Sequence, residues 1–168
     1  MKTTSATISD AAVIAGIHVA SWRAAFRGLV PDTFLDAMSM EDRAARWRHN
    51  LQDSACSILL ASEGEQVLGF ASFGRCRDKD APPDEGEIWT MYVDPSAWRR
   101  AVGATLMRAA LNRLAERGLR PVRVWVMAKN TRAIAFYQAH GFEAAVPGSR
   151  FFQLGGRQIE EISLACAR

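Results

Sequence analysis

Apolar positions recur at helical spacing through the first fifty residues. Val13, Ile14, Ile17, Ala20, Ala24 and Ala25 form such a stripe behind Asp10, which predicts a helix N-capped by Asp10, running to about Arg27 and closed by Gly28. Pro31-Asp32 opens a short helix through Phe34, Leu35 and Met38. Ser39, with Asp42 three residues on, predicts a capped helix to about Leu51. The period then changes. Cys56 to Ser62 reads as a buried strand, Glu63-Gly64-Glu65 as a hairpin turn, and Gln66 to Arg75 as the antiparallel partner. Asp78 to Gly86 is polar, acidic and twice broken by proline, so it is expected to be an exposed loop and the most mobile segment. Glu87 to Val93 follows as a strand ended by Asp94-Pro95. A strongly amphipathic helix spans about Gly103 to Arg117, with Leu106, Met107, Ala110, Leu111 and Leu114 on one face and Gly118 as its stop. Val122 to Met127 is an almost continuously apolar strand, Asn130 to His140 a helix, and Gly141-Phe142 the start of another strand. Phe151 to Leu154 and Gln158 to Ala165 are expected to pair across Gly155-Gly156.

Helices, then antiparallel strands, then strand-helix-strand-helix-strand predict one α/β (α+β) domain over residues 1–168. In it the Glu87 and Val122 strands are parallel neighbours joined by a right-handed crossover. The length of 168 residues suits one core, and 49% hydrophobic with 23% charged residues excludes a disordered chain. The longest apolar run, Ala11 to Ala20, is too short to cross a bilayer, and the N-terminus has no apolar segment behind Lys2, so a cytoplasmic protein is expected. Cys56, Cys76 and Cys166 lack metal-ligand spacing; reduced thiols and no metal are expected. The net charge of +3 comes from 21 basic against 18 acidic residues, nearly all the basic ones arginine. Arg43, Arg46 and Trp47 fit a helix with one solvated face rather than a basic stripe with interleaved aromatics, so no nucleic-acid partner is expected.

Ligands of such sheets gather at the carboxyl ends of parallel strands beside a helix N-terminus, which here is Val93 to Ala104. Trp98-Arg99-Arg100-Ala101-Val102-Gly103-Ala104 places helix-start amides, two arginines and small residues together, an arrangement suited to an anion. Met91-Tyr92-Val93-Asp94-Pro95 with this segment resembles the acetyl-CoA strand and pyrophosphate loop of the GNAT superfamily of N-acetyltransferases. Asn130-Thr131-Arg132-Ala133-Ile134-Ala135-Phe136-Tyr137, ending in Gly141-Phe142, is similar to that superfamily's later motif. Ile17-His18-Val19-Ala20-Ser21-Trp22-Arg23 with Gly28-Leu29-Val30-Pro31 is similar to the helical opening of many small bacterial members. The loop pattern departs at two places: Trp98 stands where Gln or Arg is usual, and Ala101 where the first glycine is usual. If that position needs a positive φ, alanine there costs about 1 kcal/mol.

The resemblance implies a mixed, mostly antiparallel sheet with a splayed parallel pair, flanking helices and acetyl-CoA as co-substrate, without a metal. It implies cofactor contacts from Met91, Tyr92, Val93, Arg99, Arg100, Ala101, Val102, Gly103, Ala104, Asn130 and Tyr137. The implied chemistry is direct attack of a primary amine, of a small molecule or a peptide, on a thioester. Such amines arrive protonated at neutral pH and need a proton acceptor. Glu87 matches a glutamate used as general base, directly or through water, and Tyr137 would protonate the departing thiolate. Asn130 would cap its helix as well as contact the cofactor. The acceptor is expected between His18, Trp22 and Phe26, the acidic loop (Asp78, Asp80, Asp84, Glu85) and Phe151-Phe152, where carboxylates favour a cationic amine. Relatives of this kind are commonly homodimers. The rival reading on the same fold is a non-catalytic acyl-CoA-binding sensor or inactive relative.

Overall fold

The computed structural model describes residues 1–167. Its centre is a seven-stranded sheet in the order β1-β2-β3-β4-β5-β7-β6: β1 (Lys2–Ser5), β2 (Ser57–Glu63), β3 (Gln66–Arg75), β4 (Gly86–Val93), β5 (Val122–Met127), β6 (Glu143–Leu154) and β7 (Arg157–Cys166). Every neighbouring pair is antiparallel except β4 and β5. The helices are α1 (Ala11–Ala25), α2 (Asp32–Asp36), α3 (Met40–Gln52), α4 (Val102–Glu116) and α5 (Thr131–Ala139). Strand β1 answers no apolar alternation in the sequence; it pairs as an edge with Leu59–Ser62 of β2.

Alternating side chains divide the sheet into two covered faces. One face, with Leu59, Ala71, Phe73, Ile88, Val122 and Val124, packs on Leu106, Met107, Ala110 and Leu114 of α4 and on Tyr137 of α5. The other, with Ile58, Leu60 and Phe70, packs on Ile14, Ala15 and Ile17 of α1 and on Ala44 and Trp47 of α3. A third cluster joins Phe26, Val30, Leu35 and Met38 to Met127 and Ile159 at one end of that second face. The predicted stripe of α1 is rotated. Val13 and Ala24 are exposed, whereas His18 and Ser21 are buried, because each finds a polar partner there, Ser21 the Val93 carbonyl of β4 and His18 the Trp47 indole of α3.

Caps set most boundaries. The Ser39 hydroxyl accepts from the Asp42 amide, the Asn130 side-chain oxygen accepts from the Ala133 amide, and Gly118 and Gly141 close their helices at φ +69° and +85°. Asp10 caps differently from expectation: its carboxylate accepts from the Thr7 amide and hydroxyl, closing a 3-10 turn ahead of α1.

The predicted mobile loop before β4 is pinned at both ends. Asp78 is half-buried and Glu85 only 2% exposed, both facing Arg123, while Asp80 and Asp84 point outward.

Candidate active site

The parallel pairing of β4 and β5 covers only Gly86–Ile88 against Val122–Val124, after which the strands part. The cause lies in β4 itself. Trp89 is an unpaired bulge between the Phe73–Ile88 and Ser72–Thr90 pairs. Beyond it, the Asp94 amide donates to the Leu68 carbonyl, so by antiparallel alternation Thr90 and Tyr92 turn their backbone groups to β3. Met91 and Val93 therefore turn theirs into the gap, where no strand meets them. Gly69 allows β4 and α4 this close, since a Cβ there would lie 2.8 Å from the Tyr92 carbonyl oxygen and 3.2 Å from Val102 and Leu106.

At the open end of the gap stands the N-terminus of α4. Its ladder begins with the Thr105 amide donating to the Ala101 carbonyl, leaving the amides of Val102, Gly103 and Ala104 without helical partners. Ala101 is left-handed, at φ +60° and ψ 8°, and Arg99 shares that region at φ +65°. The loop thus keeps the turn that glycine would make easily, using alanine under strain. Arg99 is exposed beside these amides; Arg100 is bound to the Glu63 carboxylate and is only partly available to an anion. Trp98 takes up a task of its own. Its indole N–H donates to the Val93 carbonyl at 2.9 Å, the Ser21 hydroxyl donates to the same oxygen at 2.8 Å, and the Arg132 guanidinium lies 3.8 Å above the indole ring. With the Val93 carbonyl occupied, the Met91 amide and carbonyl and the Val93 amide remain free in the gap. These free groups, the α4 amides and the arginines fit an extended, amide-bearing chain ending in pyrophosphate.

Two phenols reach the gap from opposite faces. Helical spacing puts Phe136, with Ala133 and His140, on the core side and Tyr137 off it, yet Tyr137 is 8% exposed and packs edge-on against Phe136 and Phe142. Burial pushes its phenol well above the ordinary range, and the nearby Tyr92 adds to the rise. Tyr92 comes from the other face, and burial pushes it up to about 12. Both stay protonated at neutral pH and can donate.

Around Tyr92 stand His18, with ring centroids 4.8 Å apart, and Trp22, stacked on His18 at 5.7 Å. The Trp47 indole donates to His18 Nδ1 at 3.2 Å, so the ring proton sits on Nε2. Burial, aided by the Arg43 charge, holds His18 down to about 3, and it is neutral at all physiological pH. His18 Nε2 and Trp22 Nε1 are buried and unpartnered; the Trp22 N–H approaches the Tyr92 hydroxyl but falls outside hydrogen-bond geometry. Phe26 is 8% exposed and belongs to the third apolar cluster.

The resemblance matches Glu87 to a general base, whereas its place at a strand start beside Asp84 and Glu85 would leave it exposed. It is 2% exposed, and Arg77 holds both its oxygens through its backbone amide at 2.8 Å and its guanidinium at 2.7 and 3.3 Å. The acidic loop is likewise neutralised from within, since Arg123 takes Glu85 at 2.8 Å and Asp78 at 3.6 Å. Neither Asp78 nor Glu85 offers a free charge to a ligand. Arg150 lies 4.1 Å over Trp125 and gives both its Nε and Nη2 donors to Oε2 of Glu161. Ser21 stands within the helical-opening motif and Arg43 reads as part of a solvated helix face, so the sequence assigns neither to the site, and Glu161 stands in no motif. A groove of about 420 Å³, lined by Leu29, Met127, Lys129, Phe151 and Ile159 among others, opens beside this face between the α1–α2 segment and the β6–β7 hairpin. Another, of about 330 Å³ at Ser57, Arg113 and Arg117, lies away from the gap. The thiols are poor nucleophiles: burial pushes Cys56 up to about 11 and raises Cys76, while Cys166 is buried.

A mixed seven-stranded sheet with one splayed parallel pair and a helix N-terminus at its mouth defines an acyl-CoA N-acyltransferase-like fold. The match to the Acetyltransferase (GNAT) family covers residues 19–142, and the chain belongs to that family. It is 28% identical over 160 residues to an uncharacterized N-acetyltransferase, YuaI, of Bacillus subtilis, covering 95% of this chain and 88% of that one. It is 37% identical over 110 residues to the mycothiol acetyltransferase of Sanguibacter keddieii, covering 64% of this chain but only 34% of that protein. Among solved structures, a ribosomal-protein-alanine N-acetyltransferase from Brucella melitensis superposes with TM-score 0.78 at 23% identity over 100% of both chains. The PaiA N-acetyltransferase of Thermoplasma acidophilum, in complex with coenzyme A, superposes with TM-score 0.71 at 18% identity over 96% of this chain and 99% of that one. At these identities the structural likeness shows the fold. Acetyl transfer from acetyl-CoA is the activity that comes with the family.

Proposed function

We propose that this acetyltransferase acts on a primary amine by direct attack within a ternary complex, with acetyl-CoA held by Met91, Val93, Arg99, Arg100, the amides of Val102, Gly103 and Ala104, and Asn130. Tyr92 contributes its side chain, since its backbone is spent on β3. The observation that carries this reading is the gap itself, where the free backbone groups of Met91 and Val93 meet the protonated Tyr137. Acetyl-CoA supplies a thioester carbon open to attack. The amine nitrogen bonds to that carbon as the C–S bond breaks; Tyr137 gives its proton to the departing sulfur and regains one from the new amide nitrogen. The Met91 or Val93 amide donates to the carbonyl oxygen as charge grows there.

The ammonium's first proton leaves toward Glu87. Since Arg77 occupies both of that carboxylate's oxygens, the proton travels through water, and Arg77 is a positioning residue. His18, Trp22 and Phe26 wall the acceptor. The whole of residues 1–168 acts as one domain, as a single sheet joining all seven strands supports; no helix among the described residues is long and apolar enough to cross a membrane. The homodimer rests on the family resemblance, and the cytoplasmic address on the short apolar runs and the N-terminus of the sequence.

Calorimetric titration with acetyl-CoA, followed by thiol release with amines, tests this. Micromolar binding that survives Tyr137→Phe, with kcat reduced about 100-fold, is the expected result. Unchanged kcat in the variant would remove Tyr137 from the chemistry. Binding without thiol release from any amine would favour the non-catalytic sensor.

A further inference from the structure

Strand β7 outruns its neighbour β5. The latter ends at Met127, opposite Glu161, and past it the Ala128 amide donates to the Glu160 carbonyl at 2.9 Å. Over residues 157–160, β7 pairs with residues 151–154 of β6 on its other side. By antiparallel alternation the Gln158 amide and carbonyl turn to the same side as the Glu160 carbonyl, beyond the end of β5, where no strand of the sheet meets them. Such an edge is a template for another extended chain. The groove of about 420 Å³ lies along it, lined by residues 157–160, by Met127 and Lys129 at the end of β5 and by Leu29 of the α1–α2 segment, among others. It leads to the gap: Met127 and Ile159 belong to the apolar cluster on which Leu29, Trp22 and Tyr92 pack, and Lys129 precedes Asn130, the cap of α5. In that cluster the Trp22 N–H is buried and lacks an acceptor. The charged lining of the groove is two cations, Lys129 and Arg157, against one carboxylate, Glu160; all three are exposed, and none forms an ion pair among the described residues.

We infer that the acyl acceptor is the N-terminus of a peptide chain, which enters extended, pairs with the Gln158 amide and carbonyl as a strand added to β7, and presents its α-amine to the gap. This rests on the acetyl-transfer reading above and names its substrate class. The guest runs antiparallel to β7, in the sense of β5, so its amine lies at the Met127 end and its chain leaves past Arg157. Residues 157–160 span about 10 Å at about 3.3 Å a residue, which places the first three or so residues of the guest in the groove. Lys129 and Arg157 outweigh Glu160 and favour an acidic side chain among them. An α-amine also suits the chemistry. Glu87, Glu85 and Asp78 are all held by arginines, and an α-amine, ordinarily near 8, sheds its proton at neutral pH far more readily than a lysine near 10.4. A small amine would leave the edge unpaired and the groove unfilled.

The test measures thiol release from acetyl-CoA with the amides of the common amino acids, each alone and extended by one, two and three alanines. Calorimetric titration of the same compounds into the CoA-saturated protein accompanies it. For at least one first residue, extension to three residues is expected to raise kcat/KM by about tenfold or more, as for two added backbone hydrogen bonds, with little further gain beyond. Glutamate in place of the second or third residue should add to that gain and lysine subtract from it, a difference that Lys129→Gln with Arg157→Gln removes. Gln158→Pro deletes a donor that faces away from β6, so the hairpin keeps its ladder; it should erase the length gain through KM with acetyl-CoA affinity intact, whereas Gln158→Ala, which keeps the backbone groups, retains the gain. On the parent protein, methylating the peptide nitrogens of the guest one at a time should cost the gain at alternate nitrogens only, a readout that does not depend on any variant folding. The proposal is overturned if single amides or simple amines equal the peptides, if Gln158→Pro keeps the length gain, if methylation costs nothing at any nitrogen, or if acetyl-CoA binds while no peptide is bound or acetylated. Failure of acetyl-CoA itself to bind would instead remove the acetyl-transfer reading on which this one stands.

Discussion

Replacing Ala101 by glycine isolates the strain in the phosphate loop. Ala101 is exposed, so its methyl group contributes no packing that the change would remove. Its φ of +60° and ψ of 8° lie in the left-handed region, where a Cβ costs about 1–2 kcal/mol that glycine does not incur. Against this, glycine gives the unfolded chain more freedom, which offsets about 0.4–1 kcal/mol. The net expectation is that Ala101→Gly stabilises by about 0.5–1 kcal/mol, raising Tm by about 1–4 °C for a chain of this size. Ala101→Val, β-branched at the same angles, should destabilise by about 1 kcal/mol or more. Urea and thermal unfolding of the three proteins would measure this. A glycine variant no more stable than the parent, alongside a valine variant equal to it, would show that the turn is not held in that conformation. Acetyl-CoA titration adds a second reading: a turn already built before binding changes stability and leaves affinity within about twofold, whereas one formed on binding transfers the gain to Kd.

Two further predictions concern the packed face. His18 is neutral in the fold down to about pH 3 but titrates near its ordinary 6.5 when unfolded, so the unfolded state binds the extra proton between these values. Stability is therefore full above about pH 6.5 and falls as pH drops through the window toward 3, by up to about 1.4 kcal/mol per unit; subtracting the unfolding profile of His18→Gln from that of the parent should give this slope, and parallel profiles would refute it. Gly74→Ala should destabilise by about 2–3 kcal/mol in chemical denaturation, because its Cβ would lie 2.6 Å from the Ala55 carbonyl oxygen and 2.6 Å from the Trp89 ring, and backbone cannot yield as a side chain tip can; a loss below about 0.5 kcal/mol would contradict that geometry.

Local signals carried the fold. Ser39, Asn130 and Gly118 act where they stand in sequence, through hydrogen bonds and backbone angles within one turn, and the elements they bound were legible from them, whereas Gly141, read as the start of a strand, closes α5 and leaves the strand to begin at Glu143. The crossover between the Glu87 and Val122 strands was legible for a related reason: a strand, an amphipathic helix and an apolar strand in succession have few ways to pack. Of the candidate site, the α4 N-terminus at the end of β4 was legible, because a strand and a helix adjacent in the chain set it. Non-local electrostatics were not. Nothing near Glu87 in the chain announces that Arg77 encloses it, and an acidic loop looks free until Arg123 is seen to face it. The burial of Tyr137 and the rotation of α1 depend on which neighbours arrive across the sheet, which helical spacing alone does not settle. Strand β1 has no pattern of its own because it is an edge that follows β2.

The three residue pairs joining β4 to β5 have a mechanical meaning as well as a chemical one. With so short a seam, the sheet amounts to two smaller sheets, β1 to β4 and β5 with β7 and β6, that share a margin and are bridged by α4. Each half is held by long antiparallel ladders and its own side of the core, whereas the seam has little to resist a change in the angle between them. A ligand wedged into the gap would supply the missing ladder and stiffen the join. Amide protons of Gly86–Ile88 and Val122–Val124 should then exchange faster than those of β3 or β7 in the free protein and slow most on saturation with acetyl-CoA.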